Sequence, residues 1–315
     1  MIRFIIFRVT GCITTSFFVV TIVFLITQFL PGDPVHYLLR GYEAEGQVEA
    51  LRKEFNLDKP LFTQYYIWIT GLLKGNLGFS IFYQQEISRI FIPRFIATIE
   101  LITLSLILSV ILGIPLGIIS AVKVGSFEDG LTAIISLIGV STPVFVFGVI
   151  LQIIFCIYLD ILRTIGRVSF FEDFFVSIKH LILPVLSISL GLLPYVIRNV
   201  RSEMLEVIKT DYIRTAWAKG LSPFKVYYKH ALRNSLVGTL AVIGINFGML
   251  LGGSVVTELV FQWPGLGTLF IQALMSHDYQ LIQILVLVYA LLFTLVNFIV
   301  DLIYIIIDPR ITFEG

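Results

Sequence analysis

Tyr212-Ile-Arg-Thr-Ala-Trp-Ala-Lys-Gly-Leu-Ser-Pro223, followed by His230-Ala-Leu-Arg-Asn234, sits inside a polar island that runs from Arg198 to Leu236. The island is 39 residues long and lies between two long apolar runs. Eight Lys and Arg against Glu203, Glu206 and Asp211 give it a net charge of +5. Leu205, Ile208, Tyr212 and Ala216 recur at spacings of three and four, which predicts one apolar face of an amphipathic helix. Gly220 is placed to end that helix, as glycine does at C′, and Ser222-Pro223 to restart one, with Ser as N-cap and Pro at the first helical position. The expected shape is helix, sharp turn, short helix. The small residues Ala216, Ala218 and Gly220 leave room for another protein's surface. The same pattern also fits a solvated loop that obeys the positive-inside rule, or one that meets anionic lipid.

The rest of the composition points to a bilayer. Hydrophobic residues make up 57% of the chain and charged residues 14%, with a mean hydropathy of +0.94; an average soluble domain is about 25% charged. The net charge of +1 offers no electrostatic footprint for nucleic acid. Six stretches contain no Asp, Glu, Lys, Arg or His and are long enough to span: Val9 to Gly32, Leu101 to Val122, Leu131 to Leu159, Leu181 to Ile197, Asn234 to Thr257 and Tyr279 to Val300. A spanning helix needs about 20 residues, whereas barrel strands are about ten residues long and alternate in polarity. Six helices in an all-α membrane protein are therefore expected. The fourth run is the shortest and carries Pro184 and Pro194, so its ends are the least defined. The first run is too long for a signal-peptide h-region and no A-x-A site follows it, so a retained helix is expected.

With the N-terminus inside, the inner segments carry twelve Lys or Arg, and the short outer loops carry only Arg163, Arg167 and Lys179. The 33–94 loop adds seven, but loops of about 60 residues or more translocate largely regardless of charge. Both termini are thus expected in the cytoplasm. In that outer loop Val48 to Phe55 and Leu61 to Leu73 have helical patterns, the second with Tyr65, Trp68 and Leu72 on one stripe. A cap on the membrane surface and a docking surface for a soluble carrier are both open.

Gly244, Gly248 and Gly252 fall on one face of the fifth run, where small residues let helices approach closely in lipid. Packing within the chain and contact with a second subunit both fit. Asn246 between them is a candidate for lining a pore or for an interhelical hydrogen bond. Glu100, Glu258 and Asp301 lie at or near run ends; Asp301, if buried, needs a partner and otherwise faces water. Cys12 and Cys156 lie within apolar runs and read as small core residues, and the four dispersed histidines show no zinc spacing.

Thr215-Ala216 through Gly220, with Leu232 twelve residues on, resembles the EAA loop of bacterial ABC-importer permeases. Tyr212-x-Arg-Thr-Ala-x-Ala-Lys-Gly220 and His230-Ala-Leu-Arg-Asn234 are similar, more narrowly, to the dipeptide/oligopeptide/nickel class. So are Leu30-Pro-Gly-Asp-Pro34, Leu57-Asp-x-Pro-Leu-x-x-Gln-Tyr65, Gly75-Asn-Leu-Gly-x-Ser80, Phe261-x-Trp-Pro-Gly-Leu-Gly267 with Asp278-Tyr279, Asp301-Leu-x-Tyr304 and Asp308-Pro-Arg-Ile311. The likeness covers nearly the whole chain and is to the first, B-type subunit. Arg214 stands where the broad pattern has Glu, and Arg233 where it has Pro; both changes are common in the peptide class.

The resemblance implies a type I ABC-importer transmembrane fold with six helices and a bacterial inner-membrane location. It divides the chain into 1–93 (first helix, about 9–30, and the extracytoplasmic loop), 94–305 (five-helix core with the coupling loop 198–236) and 306–315 (cytoplasmic tail). It implies a second, C-type permease, two ATPase subunits that bind ATP and Mg, and an extracytoplasmic binding protein, with no cofactor or metal on this chain and lipid as its surroundings. Tyr212, Arg214, Thr215, Ala216, Ala218, Lys219, Gly220, Leu221, Ser222 and Pro223 would seat in an ATPase cleft. The cargo implied is a dipeptide or oligopeptide, with nickel or a metal chelate as the alternative.

Two other classes fit less well. The chain has no G-x-x-x-x-G-K-[ST], so it holds no ATP site of that kind. An intramembrane enzyme would want G-x-S-x-G, HExxH or paired carboxylates within the runs, and these are missing. An ion-coupled secondary transporter would want several mid-membrane ionisable groups and a repeated helix pattern, and neither is present.

Overall fold

The computed structural model describes residues 2–29, 45–54, 56–162 and 165–307. Leu30 to Pro34, Phe55, Arg163 and Asp308 to Ile311 lie outside these. Helix follows helix along the chain: α1 (Ile2–Gln28), α2 (Glu45–Glu54), α3 (Leu61–Leu73), α4 (Ile87–Val122), α5 (Phe127–Ser141), α6 (Val144–Gln152), α7 (Phe174–Val207), α8 (Asp211–Ala218), α9 (Leu232–Val260), α10 (Leu266–Met275) and α11 (Tyr279–Ile307). Strands β1 (Phe79–Ser80) and β2 (Gln85–Glu86) form a small antiparallel pair with Phe79 opposite Glu86. Five helices are long and apolar enough to cross a membrane, and α5 with α6 makes a sixth, broken crossing.

The broken crossing departs from the single helix expected over Leu131 to Leu159. The chain bends by 100° between the two halves of this crossing. Pro143 supplies no N–H and disfavours helical backbone in the residue before it, so Thr142 is extended (φ −105°, ψ 124°) and closes α5 by donating its N–H to Ile138 O. The second half runs on as a π-helical segment, Ile153–Tyr158. At the other end Ser126 caps α5, its Oγ accepting from Asp129 N. α4 is 36 residues long, about 54 Å at 1.5 Å per residue. A hydrocarbon core is about 30 Å thick, so α4 extends well past it.

The chain folds as two compact units. In the larger unit, residues 99–263 and 295–315, α7 is the central element. It was the least defined run in the sequence, yet it continues for 34 residues through Pro184 and Pro194. Neighbours tolerate it because their backbones come close. A methyl group placed on Gly113 would sit 2.7 Å from Val196, and one on Gly117 2.7 Å from Val200. Gly139 lies against Pro194 and Leu190 O, and Gly191 of α7 against Val144. Serines add hydrogen bonds that apolar lipid cannot replace. Ser109 Oγ donates to Ser189 O at 3.1 Å, Ser189 Oγ to Ser105 O at 3.0 Å, and Ser187 Oγ to Val144 O at 2.9 Å. On the outer side Arg167 grips Glu100 Oε2 through Nε and Nη2, each at 2.7 Å.

The glycine row on α9 behaves less uniformly than its spacing predicts. Gly244 is buried and packs on Val300, while Gly252 is exposed with nothing near it. Four-residue steps advance 400° around a helix of 3.6 residues per turn, so each successive glycine drifts off the face. Asn246 is buried and donates to Val242 O of its own helix at 2.6 Å. Glu258 is fully buried, and Asp301 is half-buried.

The smaller unit, residues 1–98 and 264–294, packs around Ile87, Leu266, Leu269, Leu281 and Leu285. The expected stripe on α3 is present: Tyr65 packs edge-on and Trp68 tilted against Phe24 of α1, and Tyr65 Oη pairs with Thr21 Oγ1 at 2.6 Å. Asp278 caps α11, accepting from Leu281 N, and holds the β1–β2 turn through Ser80 Oγ and Phe82 N. Burial raises the Asp278 pKa above its ordinary 3.8, against the pull of those hydrogen bonds.

Two expectations follow. Gly117→Val drives a branched side chain into Val200 and should cost about 1–3 kcal/mol, the range for overpacking, read as earlier unfolding of the detergent-solubilised protein. Because the native Asp278 carboxyl keeps its proton to higher pH than an unfolded one, its contribution to stability is complete below 3.8 and is lost as pH rises through the raised native value. Hydrogen exchange at Phe82 and Leu281 should therefore quicken with pH beyond the intrinsic rate, and Asp278→Asn should remove that excess.

Candidate functional site: the cytoplasmic turn

The polar island opens as the last turns of α7, which ends at Val207. Thr210 Oγ1 donates back to Val207 O at 2.6 Å, and Thr210 is extended (ψ 153°) before α8 begins at Asp211. The single amphipathic helix expected over 205–216 is thus two helices. The break rotates the apolar face: Ile213 is fully buried and Ala216 is 6% exposed, while Tyr212 is 40% exposed. Tyr212 has a polar duty instead. Its Oη accepts from Asn234 Nδ2 at 2.7 Å, tying α8 to the start of α9.

Gly220 closes α8 as expected. Its φ is +70°, and the paired bonds of a Schellman motif are present: Gly220 N donates to Trp217 O at 2.9 Å and Leu221 N to Ala216 O at 3.4 Å. A methyl group on Gly220 would meet nothing within 4 Å. The glycine is needed for its backbone, since left-handed φ costs an ordinary residue about 1–2 kcal/mol. Leu221 and Ala216 both join the apolar cluster below the turn, with Ile118 and Ala121 of α4, Val196, Val200 and Met204 of α7, and Val226 and Ala231.

The helix restarts at Pro223, with Ser222 O accepting from Val226 N at 3.0 Å. It is not the separate short helix expected. It passes through a π-helical segment, Lys225–Ala231, straight into α9. The outward face comprises Tyr212, Arg214, Thr215, Trp217, Ala218, Lys219, Gly220, Ser222 and Pro223, all exposed. Ala216 and Leu221 point inward, so of the small residues only Ala218 and Gly220 leave room for a neighbour. Arg214 pairs with Asp211 at 3.2 Å, both highly exposed.

Phe224, Tyr227 and Tyr228, not singled out from the sequence, adjoin this face. Phe224 is 69% exposed and stacks on Tyr228 at 4.6 Å, while Trp217 packs edge-on to Tyr227 at 5.7 Å. The signal for the first pair was the four-residue spacing after Pro223. The turn is thus closed by a glycine, carries exposed aromatic and basic groups, and is seated on the inner ends of apolar helices long enough to cross a membrane.

Residues 113–313 match the family of binding-protein-dependent transport system inner membrane components, and residues 1–102 match the N-terminal part of such membrane components. The chain belongs to this family: it is a pore-forming permease subunit of an ABC importer, a multi-pass protein of the plasma membrane. It is 38% identical to the glutathione transport system permease protein GsiC of Escherichia coli O6:H1 over 315 residues, all of both chains. Identity is 38% to GsiC of Salmonella typhimurium strain LT2 and 37% to that of Escherichia coli K12, again over the full length of each. Among solved structures, inward-facing forms of the MetNI methionine ABC transporter share the fold. One has a TM-score of 0.57 at 19% identity, covering 70% of this chain and 97% of that one; another scores 0.55 at 21%, covering 67% and 93%. Permeases of this family work with ATPase, binding-protein and further permease subunits, and the ATPases carry out hydrolysis.

Ile213→Ala removes the side chain that anchors α8, and core truncations of this kind cost about 2–5 kcal/mol. Proteolysis within 205–223 should become faster in the variant while the membrane helices stay protected; unchanged cleavage would mean that Ile213 does not hold the turn.

Proposed function

We propose that the chain carries peptide-like cargo across the membrane and that Tyr212 to Pro223 is its coupling element. The exposed part of the turn would enter a cleft of an ATPase subunit. The Schellman closure, the buried Ile213 and Ala216 and the partly buried Leu221 support this reading, because a handle transmits force only if it is fixed to what it moves. ATP-driven approach of two ATPases would favour one arrangement of the membrane helices over another, since a ligand shifts an equilibrium only by its differential affinity for the two states. ATP and Mg would reside on those partners, and a second, C-type permease would complete the pore.

The cargo reading is supported by relatives named for glutathione, a tripeptide, at full-length identities of 37–38%. A binding protein would deliver it from the outer side. The division into a first helix with outer loop (1–93), a transport core (94–305) and a tail (306–315) belongs to the same proposal.

Reconstituted with its partners, the importer should take up a labelled tripeptide only with ATP. Uptake driven by an ion gradient alone would overturn the reading. Gly220→Val should leave the assembly intact but lower uptake per ATP hydrolysed by about tenfold, the equivalent of 1.4 kcal/mol, whereas Gly220→Asn, which tolerates positive φ, should retain most of it. Normal coupling in Gly220→Val would count against the turn. A cysteine at Lys219 should cross-link to the ATPase in the intact complex, and failure to form that link would remove the docking assignment.

A further inference from the structure

A cavity of about 590 Å³ opens between α5 and the inner halves of α4 and α7. That is within the roughly 300–1,000 Å³ of small-molecule sites. Its polar end contains Ser126, Asp129, Arg198 and Arg201, and its apolar end Leu137 and Val140. The charges at the polar end do not cancel. Asp129 is committed: Arg201 donates to it through Nε at 3.1 Å and Nη2 at 3.2 Å, and Ser120 Oγ and Gly125 N add further bonds. Glu128, next in sequence, pairs with Lys123. Arg198 is exposed and forms no ion pair among the described residues, so one positive charge remains unspent at the mouth.

Deeper in, Ser136 is 5% exposed and its Oγ has no hydrogen-bond partner, although it lines the cavity. A serine hydroxyl in a membrane helix ordinarily bonds the carbonyl four residues back. An unpaired one within apolar surroundings is costly and marks a place where an acceptor or donor is supplied from outside. Depth adds a constraint. Arg198 directly follows the uncharged run that ends at Ile197, at the inner boundary of the hydrocarbon. Ser136 is five residues into the run that begins at Leu131, about 8 Å along the helix. Beyond it Leu137 and Val140 are 67% and 43% exposed, which extends the apolar wall out to the exposed face of α5.

We propose that this cavity seats one anionic phospholipid of the cytoplasmic leaflet. The phosphate meets the Arg198 guanidinium, a fatty-ester carbonyl accepts from Ser136 Oγ, and an acyl chain leaves along Leu137 and Val140. Basic pockets between membrane helices on the cytoplasmic side suit such headgroups. The site rests on the inward orientation of the 198–236 island and is independent of what the importer carries.

The test uses the importer assembled with its partners in nanodiscs of phosphatidylcholine mixed with phosphatidylglycerol, followed by native mass spectrometry of retained lipid. Arg198→Gln should lower phosphatidylglycerol retention about fivefold, the contribution of one basic residue at an anionic surface, and Arg198→Lys should restore most of it. Leu137→Trp, which fills the apolar wall from an exposed position, should give a similar loss should the arginine variant fail to assemble. Retention at the wild-type level in Arg198→Gln or in Leu137→Trp would overturn the site. So would displacement of the lipid by inorganic phosphate, which would make it a free-anion site, or by a short acidic peptide, which would make it part of the cargo path.

Discussion

The close approach of backbones along α7 is the constraint on which the larger unit depends. Lipid tails are as apolar as leucine, so burying apolar side chains gives membrane helices little reason to associate. Contact must come from shape and from hydrogen bonds. Gly113 and Gly117 of α4 accept Val196 and Val200, Gly139 of α5 accepts Pro194, and Gly191 accepts Val144. Each is a place where the absence of a side chain on one helix is filled by a branched or cyclic one on the other. The serine bonds among residues 105, 109 and 189 then fix the register of α4 against α7.

That arrangement also explains why α7 keeps two prolines. In water a proline in mid-helix costs about 3 kcal/mol or more. Inside a bundle, neighbours and serine hydroxyls can satisfy the polar groups that proline disturbs. Pro143 has a different outcome because it lies at the boundary between α5 and α6, where Thr142 already closes the first helix on Ile138 O. The same residue type thus breaks one crossing and leaves another continuous, and the difference is in what surrounds it.

Much of this was legible from the order of residues. Charge-free runs marked all six crossings, and Gly220 marked the end of α8 because few other residues adopt its φ of +70°. The stripe of Tyr65 and Trp68 also lay where its period placed it. Helical phase failed wherever backbone geometry changed. The turn at 208–210 moved the buried position from Tyr212 to Ile213, and the π-helical segment at Lys225–Ala231 joined what read as a short helix to α9. The row of Gly244, Gly248 and Gly252 was conspicuous by spacing, whereas Gly113 and Gly117, with the same spacing, pack α4 on α7 through valines more than 80 residues away. Charge partners were equally hidden, since nothing local links Asp129 to Arg201 or Glu100 to Arg167.

The helix that begins at Pro223 continues without a loop to Val260, a rod of about 55 Å at ordinary helical rise. Its near end abuts the glycine bend, and its far end is Val260, at the end of the apolar stretch that is long enough to cross a membrane. A rod of that kind has no joint within the bilayer at which movement can be absorbed. Under the proposed coupling, torque applied beside residue 223 would arrive as a change in the pose of the whole shaft, with the widened π turns near its base as the place where twist would be taken up.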